Sequence, residues 1–394
     1  MRRRTLLGAL AILPAAACSG EPDTTPSPSA RPSATPTATP TPTPTSTPRP
    51  SHSPTPSASP LPTRRPSTPP PARGSATVAR TLVTGLHSPW GLVFLPGGDA
   101  VLGSRDEATL TRITRDGSTS PLGHVPDVSH GGEGGLLGLA LSPRFAHDRQ
   151  LFCYHTTASD NRVVRGRLGP RGLVDVTPVL TGIPHGTYHN GGGLCFGPDG
   201  NLYVSTGEGG EPARAQDKSS LGGKILRVTP TGEPAAGNPF GRSPVFSFGH
   251  RNVESIAFNG RQLWAVEFGD HAYDELNAIR RGGNYGWPQT EGRTDAAGII
   301  SPAVQWPTDD AGPAGIAVAD SVAWIACLTG ERMYRVVLHG RTAGRPQAFF
   351  AGRYGRLRRT AFDSDGRLWL VTSNTDGRGQ VRSGDDRILV LDVR

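Results

Sequence analysis

The residues best equipped for chemistry in this chain are gathered between Gly249 and Pro288. Arg251 and Asn252 lead into an apolar run, Leu263 to Val266, that ends at Glu267 and is followed by Asp270, Asp274 and Glu275. Asn284-Tyr285-Gly286-Trp287-Pro288 closes the stretch in a glycine-assisted turn. A guanidinium, several hard oxygen donors and an aromatic turn around one strand suit a place where an anionic ligand meets a hard cation. His189 precedes three glycines, Gly191 to Gly193. Glycine lets backbone approach a ligand closely, so His189 reads as a general base at a binding mouth. The competing reading is a surface histidine, one of eleven in the chain. Glu133 lies in a second glycine-rich run, Gly132 to Gly138, where it orients a polyol or caps a turn. That run lacks the Lys-Ser/Thr ending of a phosphate loop. Arg356 and Arg358 alternate along a strand-like stretch, which puts both guanidiniums on one side. Two forks on one side suit carboxylates; the competing reading is a solvated edge. Trp306, close to Thr308, reads as a stacking platform or as a core tryptophan.

Residues so scattered meet only if the fold brings distant loops to one place. From about Val78 one unit recurs: an apolar patch, a turn with Pro, Asp or Gly, then an apolar strand. It appears at Gly91–Pro96 with Asp99–Leu102, Leu139–Pro143 with Leu151–Tyr154, and Leu194–Gly200 with Leu202–Val204. It returns at Ile256–Gly260 with Leu263–Val266, Ile316–Ala319 with Val322–Ala326, and Thr360–Gly366 with Leu368–Val371. Six hairpins at spacings of roughly 45 to 60 residues fit a repeat architecture. The reading is all-β, a six-bladed β-propeller over residues 75–394. A two-sheet sandwich is the rival, but length and regularity favour radial repetition. A propeller turns its loops toward one central mouth, a common place for a ligand site.

The first 74 residues read differently. Arg2 to Arg4, an apolar run from Leu6 to Leu13, and Ala15-Ala16-Ala17-Cys18 make residues 1–18 an export signal, with Cys18 as a lipid acceptor. The competing reading is an ordinary cleavage site. Arg3-Arg4-Thr5-Leu6-Leu7 resembles a twin-arginine signal, which leaves the export route open. Residues 19–74, almost wholly Pro, Thr, Ser and Ala, read as a disordered linker, because such a segment buries too little to offset its ordering entropy. Together they predict an extracytoplasmic lipoprotein held at a membrane through Cys18. Of the formal charge of +8, residues 1–80 carry +7, from nine Arg against Glu21 and Asp23. The remaining +1 leaves no nucleic-acid footprint. Cys153, Cys195 and Cys327 form no CxxC pair and read as buried thiols.

Taken together, GEGGLLGLALSPRF (132–145), HNGGGLCFGPDGNLYVSTGE (189–208), GGKILRV (222–228), GHRN (249–252), DELN with GGNYGWP (274–288) and GRLR (355–358) resemble the soluble PQQ-dependent sugar dehydrogenases, the aldose and glucose/sorbosone dehydrogenase family. The resemblance covers residue 78 to the end, and it too implies a six-bladed propeller. It implies a quinoprotein in which His189 takes the proton of the sugar's anomeric hydroxyl while hydride passes to PQQ. Arg251 then stabilises the charge developing on the quinone. Asn252, Trp306, Thr308, Arg356 and Arg358 match cofactor contacts, and Glu133 and Gln216 match the substrate side. The backbone carbonyls of Gly269 and Asp270 match those that hold calcium against PQQ. There are departures. Thr329 stands where some relatives place a lysine, Asp270 replaces a proline and Phe268 a polar residue. Glu254 and Ser255 replace Gln-Gly, and Gly193 replaces an arginine. The first three bear on PQQ affinity more than on fold.

The leading expectation is therefore an aldose dehydrogenase using PQQ and calcium and passing electrons to an unknown acceptor. A propeller lactonase or esterase, with His189 activating water, and a non-catalytic carbohydrate-binding propeller are the alternatives.

Overall fold

The structure, a computed structural model, describes residues 73–394. The expected signal peptide, Cys18 and all but the last two linker residues lie outside the described residues. Of those two, Gly74 exchanges hydrogen bonds with the Gln347 side-chain amide, both 3.0 Å. The folded part thus begins at least one residue ahead of the expected boundary at 75.

Six antiparallel sheets make six blades. Blade 1 runs Pro89–Phe94, Ala100–Ser104, Thr109–Ile113 and Thr119–His124. Blade 2 runs Leu136–Leu141, Gln150–Thr156, Asn161–Gly169 and Gly172–Ile183. Blade 3 runs Leu194–Phe196, Leu202–Ser205, Lys224–Val228 and Val245–Phe248. Blade 4 runs Asn252–Asn259, Gln262–Phe268, Tyr273–Ala278 and Val304–Pro307. Blade 5 runs Pro313–Ala319, Val322–Cys327 and Arg332–His339, and two short pieces, Thr342–Ala343 and Gln347–Phe349, share its outer edge. Blade 6 runs Leu357–Phe362, Leu368–Thr372 and Ile388–Val393, and its outer strand is Ala76–Val83 from the other end of the described chain. That pairing ties the last blade to the first segment and closes the ring. The first strands of successive blades pack side by side, blade 6 against blade 1 included.

The six hairpins expected from the sequence are the first two strands of the six blades. The second strands read as unbroken apolar runs, such as LWAV in blade 4 and WIAC in blade 5, because both faces are covered by neighbouring blades. Six apolar clusters fill the six seams between blades. Trp264 in blade 4 and Trp369 in blade 6 are among the largest fully buried side chains. Outer strands are more open: Gly172–Ile183 mixes buried, half-buried and exposed positions. Cys153 and Cys327 are buried and Cys195 half-buried, all three as free thiols; burial pushes the Cys195 thiol up to about 12.

Candidate active site

An up-and-down blade puts its second-to-third connection at the same end as the link to the next blade. Every loop that carries a candidate residue belongs to one of these two kinds. Glu133, His189, Arg251 and Arg356 lie just ahead of the first strands of blades 2, 3, 4 and 6. Glu208, Asp270, Thr329 and Asp376 lie between the second and third strands of blades 3, 4, 5 and 6. One face of the ring therefore collects them.

His189 is held from two sides. Its backbone is in the left-handed region, φ 59°, which is uncommon for a residue with a side chain. Its N–H donates to Glu133 Oε2 at 2.7 Å, and its Nδ1 lies 2.5 Å from Glu208 Oε1. Glu208 is 1% exposed. A carboxylate at Nδ1 keeps the proton on that nitrogen and leaves Nε2 as the basic one. The Glu208 backbone N–H donates to the Arg251 carbonyl at 2.8 Å, so one residue links the histidine to the arginine. Two glycines make this possible: a Cβ on Gly207 would meet the His189 carbonyl oxygen at 2.0 Å, and Gly191, at φ 66°, packs on Thr206.

Beside this pair is a narrow cavity walled by Arg105, Arg356, Arg358 and Arg378 together with Glu133, Glu254 and Asp376. Arg356 and Arg358 face the same space, as their alternation implied. Each is paired: Arg356 with Asp376 at 2.9 Å and Arg358 with Glu254 at 2.6 Å. The Arg358 guanidinium also lies 4.3 Å from the centre of the Trp90 ring. Glu133 lines the cavity but is already engaged by the His189 N–H and by Arg378 at 2.8 Å. It acts on the histidine loop as much as on any ligand.

Phe268 lines both this cavity and a second one, lined also by Arg251, Glu267, Glu275, Trp287 and Glu291. Arg251 donates to Asp270 at 2.6 Å and lies 5.4 Å from the Trp287 ring centre. Its Nε is buried with no protein partner. Glu291 Oε1 accepts the N–H groups of Asp270, Ala272 and Tyr273 at 2.7, 3.0 and 2.9 Å. In a trans peptide the carbonyl points opposite to the N–H it shares a plane with. Pinning the Asp270 N–H therefore turns the Gly269 carbonyl away from Glu291. Only glycine fits at 269, since a Cβ there would meet the Tyr273 carbonyl oxygen at 2.0 Å. Asp274 accepts the N–H groups of Gly269 and Gly312; burial pushes its carboxyl up to about 7 against those bonds. Among the described residues no three His, Cys, Asp or Glu side chains are grouped to hold a metal. A cation here would rest on the Gly269 and Asp270 carbonyls and on oxygens from a ligand or water.

Other expected residues are placed less directly. Asn252 is fully buried below the mouth; its Oδ1 accepts the Gly191 N–H and its Nδ2 donates to Glu254. Gln216, expected on the substrate side, is a brace: its amide pairs with that of Asn284 and donates to the Trp287 carbonyl. Both amides are used between loops, so Gln216 ties the blade 3 loop to the Asn284–Trp287 turn. Trp306 is 5% exposed and stacked on Tyr334, so the core reading describes its ring. Its indole N–H is buried without a partner. Thr308 is half-buried in the turn after it, and neither residue lines either of these two cavities. Thr329 packs on Gly312. Glu208, Arg105, Asp376 and Arg378 went unassigned by sequence reasoning. Only Glu208 carried a signal, as the last residue of the motif at 189–208.

The donor set fits an acidic, planar cofactor such as PQQ. Guanidiniums converge on one cavity, and in the adjoining one Arg251 Nε is a buried donor with no protein acceptor. Comparison with known proteins agrees with the architecture. A PQQ-bound aldose sugar dehydrogenase from Streptomyces coelicolor superposes with a TM-score of 0.81 at 54% identity, over 82% of this chain and 100% of that one. The aldose sugar dehydrogenase of Escherichia coli K12 is 29% identical over 331 residues, 74% of this chain and 89% of its own. An uncharacterised protein of Synechocystis is 36% identical over 242 residues, 52% of this chain; the match spans 58% of that relative's length. The model of the glucose/sorbosone dehydrogenase family matches residues 86–383, nearly the whole propeller. The chain belongs to the glucose/sorbosone dehydrogenase family.

Proposed function

We propose that this protein oxidises an aldose at its anomeric carbon, with PQQ as cofactor and calcium assisting. We further propose that it does so outside the cytoplasm, anchored through lipid on Cys18. The observation that carries the catalytic reading is the His189–Glu208 pair beside a cavity walled by Arg356 and Arg358. The PQQ-bound Streptomyces relative supports the choice of cofactor.

Bound PQQ supplies the two-electron acceptor for hydride, and calcium on the Gly269 and Asp270 carbonyls supplies a Lewis acid. The chain's own residues do the rest. His189 Nε2 takes the proton from the sugar hydroxyl, the one role in this site for which imidazole is suited. Glu208, desolvated and on Nδ1, keeps the ring oriented and stabilises the imidazolium that forms. Arg356 and Arg358 receive cofactor carboxylates. Arg251 cannot be the base, because a guanidinium stays protonated. It offers positive charge next to the two carbonyls. Glu133 keeps the histidine loop in place through the His189 N–H.

The test is reconstitution of purified protein with PQQ and Ca²⁺, followed by a dye-linked assay over a panel of aldoses. Quinone uptake with aldose-dependent dye reduction is the expected result. Absence of quinone binding with calcium present would overturn it.

A further inference from the structure

The arginine cavity contains its own anions. Three carboxylates, Glu133, Glu254 and Asp376, line it beside its guanidiniums, and each already holds one of them. Of the three pairs, Arg358–Glu254 is the most withdrawn from water, its side chains 8% and 6% exposed. By contrast, Arg378 in the Glu133 pair is 48% exposed.

We propose that Glu254 is an affinity-determining residue of the cofactor site: it competes with a cofactor carboxylate for Arg358 and takes up a proton when the cofactor binds. This rests on the reading of the cavity as the PQQ site.

The surroundings decide the direction. Arg358 reaches Glu254 Oε2 from the first strand of blade 6, and Asn252 donates to Oε1 from Glu254's own strand. Glu133, ahead of blade 2, adds like charge. On the far side of Arg358, Arg105 of blade 1 and Asp376 of blade 6 act with opposite signs. The Tyr154 phenol of blade 2 also feels the Glu254 charge, and it donates to the Asn190 carbonyl. Burial already raises the Glu254 carboxyl above the ordinary range, with Arg358 opposing. A second carboxylate on Arg358 weakens that opposition and adds repulsion, so the neutral form of Glu254 gains. Protonated Glu254 still accepts from Asn252 at Oε1, and its hydroxyl at Oε2 can donate to the incoming carboxylate in place of accepting from Arg358.

Linkage gives the sign: if binding takes up a proton, affinity falls as pH rises. The experiment is calorimetric titration of PQQ into the calcium-loaded protein at several pH values between about 6 and 8, in buffers of different ionisation enthalpy. The parent should take up close to one proton and lose up to about tenfold in affinity per pH unit. Glu254→Gln, near-isosteric and uncharged, should bind more tightly at the upper pH, with a flatter pH profile and less proton uptake. Thermal unfolding of both proteins verifies that the variant is folded. Should the variant fail to fold, the parent's proton count decides alone. Binding by the parent without proton uptake, or a Glu254→Gln profile as steep as the parent's, would overturn the inference and leave the PQQ reading standing. A parent that binds no PQQ at any pH would overturn both.

Discussion

The two cavities that share Phe268 handle buried charge in opposite ways. In the arginine cavity every carboxylate faces a guanidinium from another segment: Glu254 with Arg358, Asp376 with Arg356, Glu133 with Arg378. In the acidic cavity, Glu267, Glu275 and Glu291 are held mainly by dipoles. Glu291 takes backbone N–H groups, Glu275 takes the Gly292 N–H and the Asn277 amide, and Glu267 takes the Arg251 N–H, His250 and Asn277. Burial, and Glu267 after it, pushes Glu275 up to about 8. Cations paired with movable carboxylates can be re-paired by an incoming anion. Carboxylates fixed to backbone cannot move without moving the loop. The first arrangement suits a ligand that comes and goes; the second suits a rigid seat for the Gly269 and Asp270 carbonyls.

Arg358→Ala breaks the comparison hardest. It leaves Glu254 buried and unpaired, and removing one partner of a buried pair costs about 3–5 kcal/mol. Chemical denaturation should show that loss, and PQQ affinity should fall with it. A variant as stable as the parent would mean that the pair is solvated. Glu291→Ala tests the other cavity. Freeing the N–H groups of Asp270, Ala272 and Tyr273 should cost about 1–3 kcal/mol. Amide exchange at those residues should accelerate, and more calcium should be needed for PQQ binding; unchanged exchange would show that Glu291 does not fix the loop. Glu275→Gln should have an effect that depends on pH. The folded state raises this carboxyl from 4.5 to about 8, so its contribution is fully present below the unfolded value and is lost as pH rises through the folded one. The parent's Tm should therefore decline between about pH 5 and 8 more than the variant's. Parallel Tm profiles would contradict the assignment.

Much of this was readable in the sequence because both faces of the inner hairpins are covered. That burial demands unbroken apolar runs, and the runs recur six times. Outer strands carry no such demand, so the N-terminal segment Ala76–Val83 gave no sign that it completes blade 6. His189, Arg356 and Arg358 stood out through glycine context and alternation, both local patterns. Glu208 and Asp376 act through His189 and Arg356 on other loops, and a lone acid after a strand says nothing about its partner.

The central claim is that His189, oriented by Glu208, is the base in a site whose arginines hold the cofactor. The direct test is His189→Ala, with PQQ affinity and aldose turnover measured on the same calcium-loaded preparation. Turnover should fall roughly 10²–10⁴-fold, the range for a lost general base, while the PQQ Kd stays close to the parent's because no cavity arginine has changed. Near-parental aldose oxidation by the PQQ-loaded variant would contradict the account.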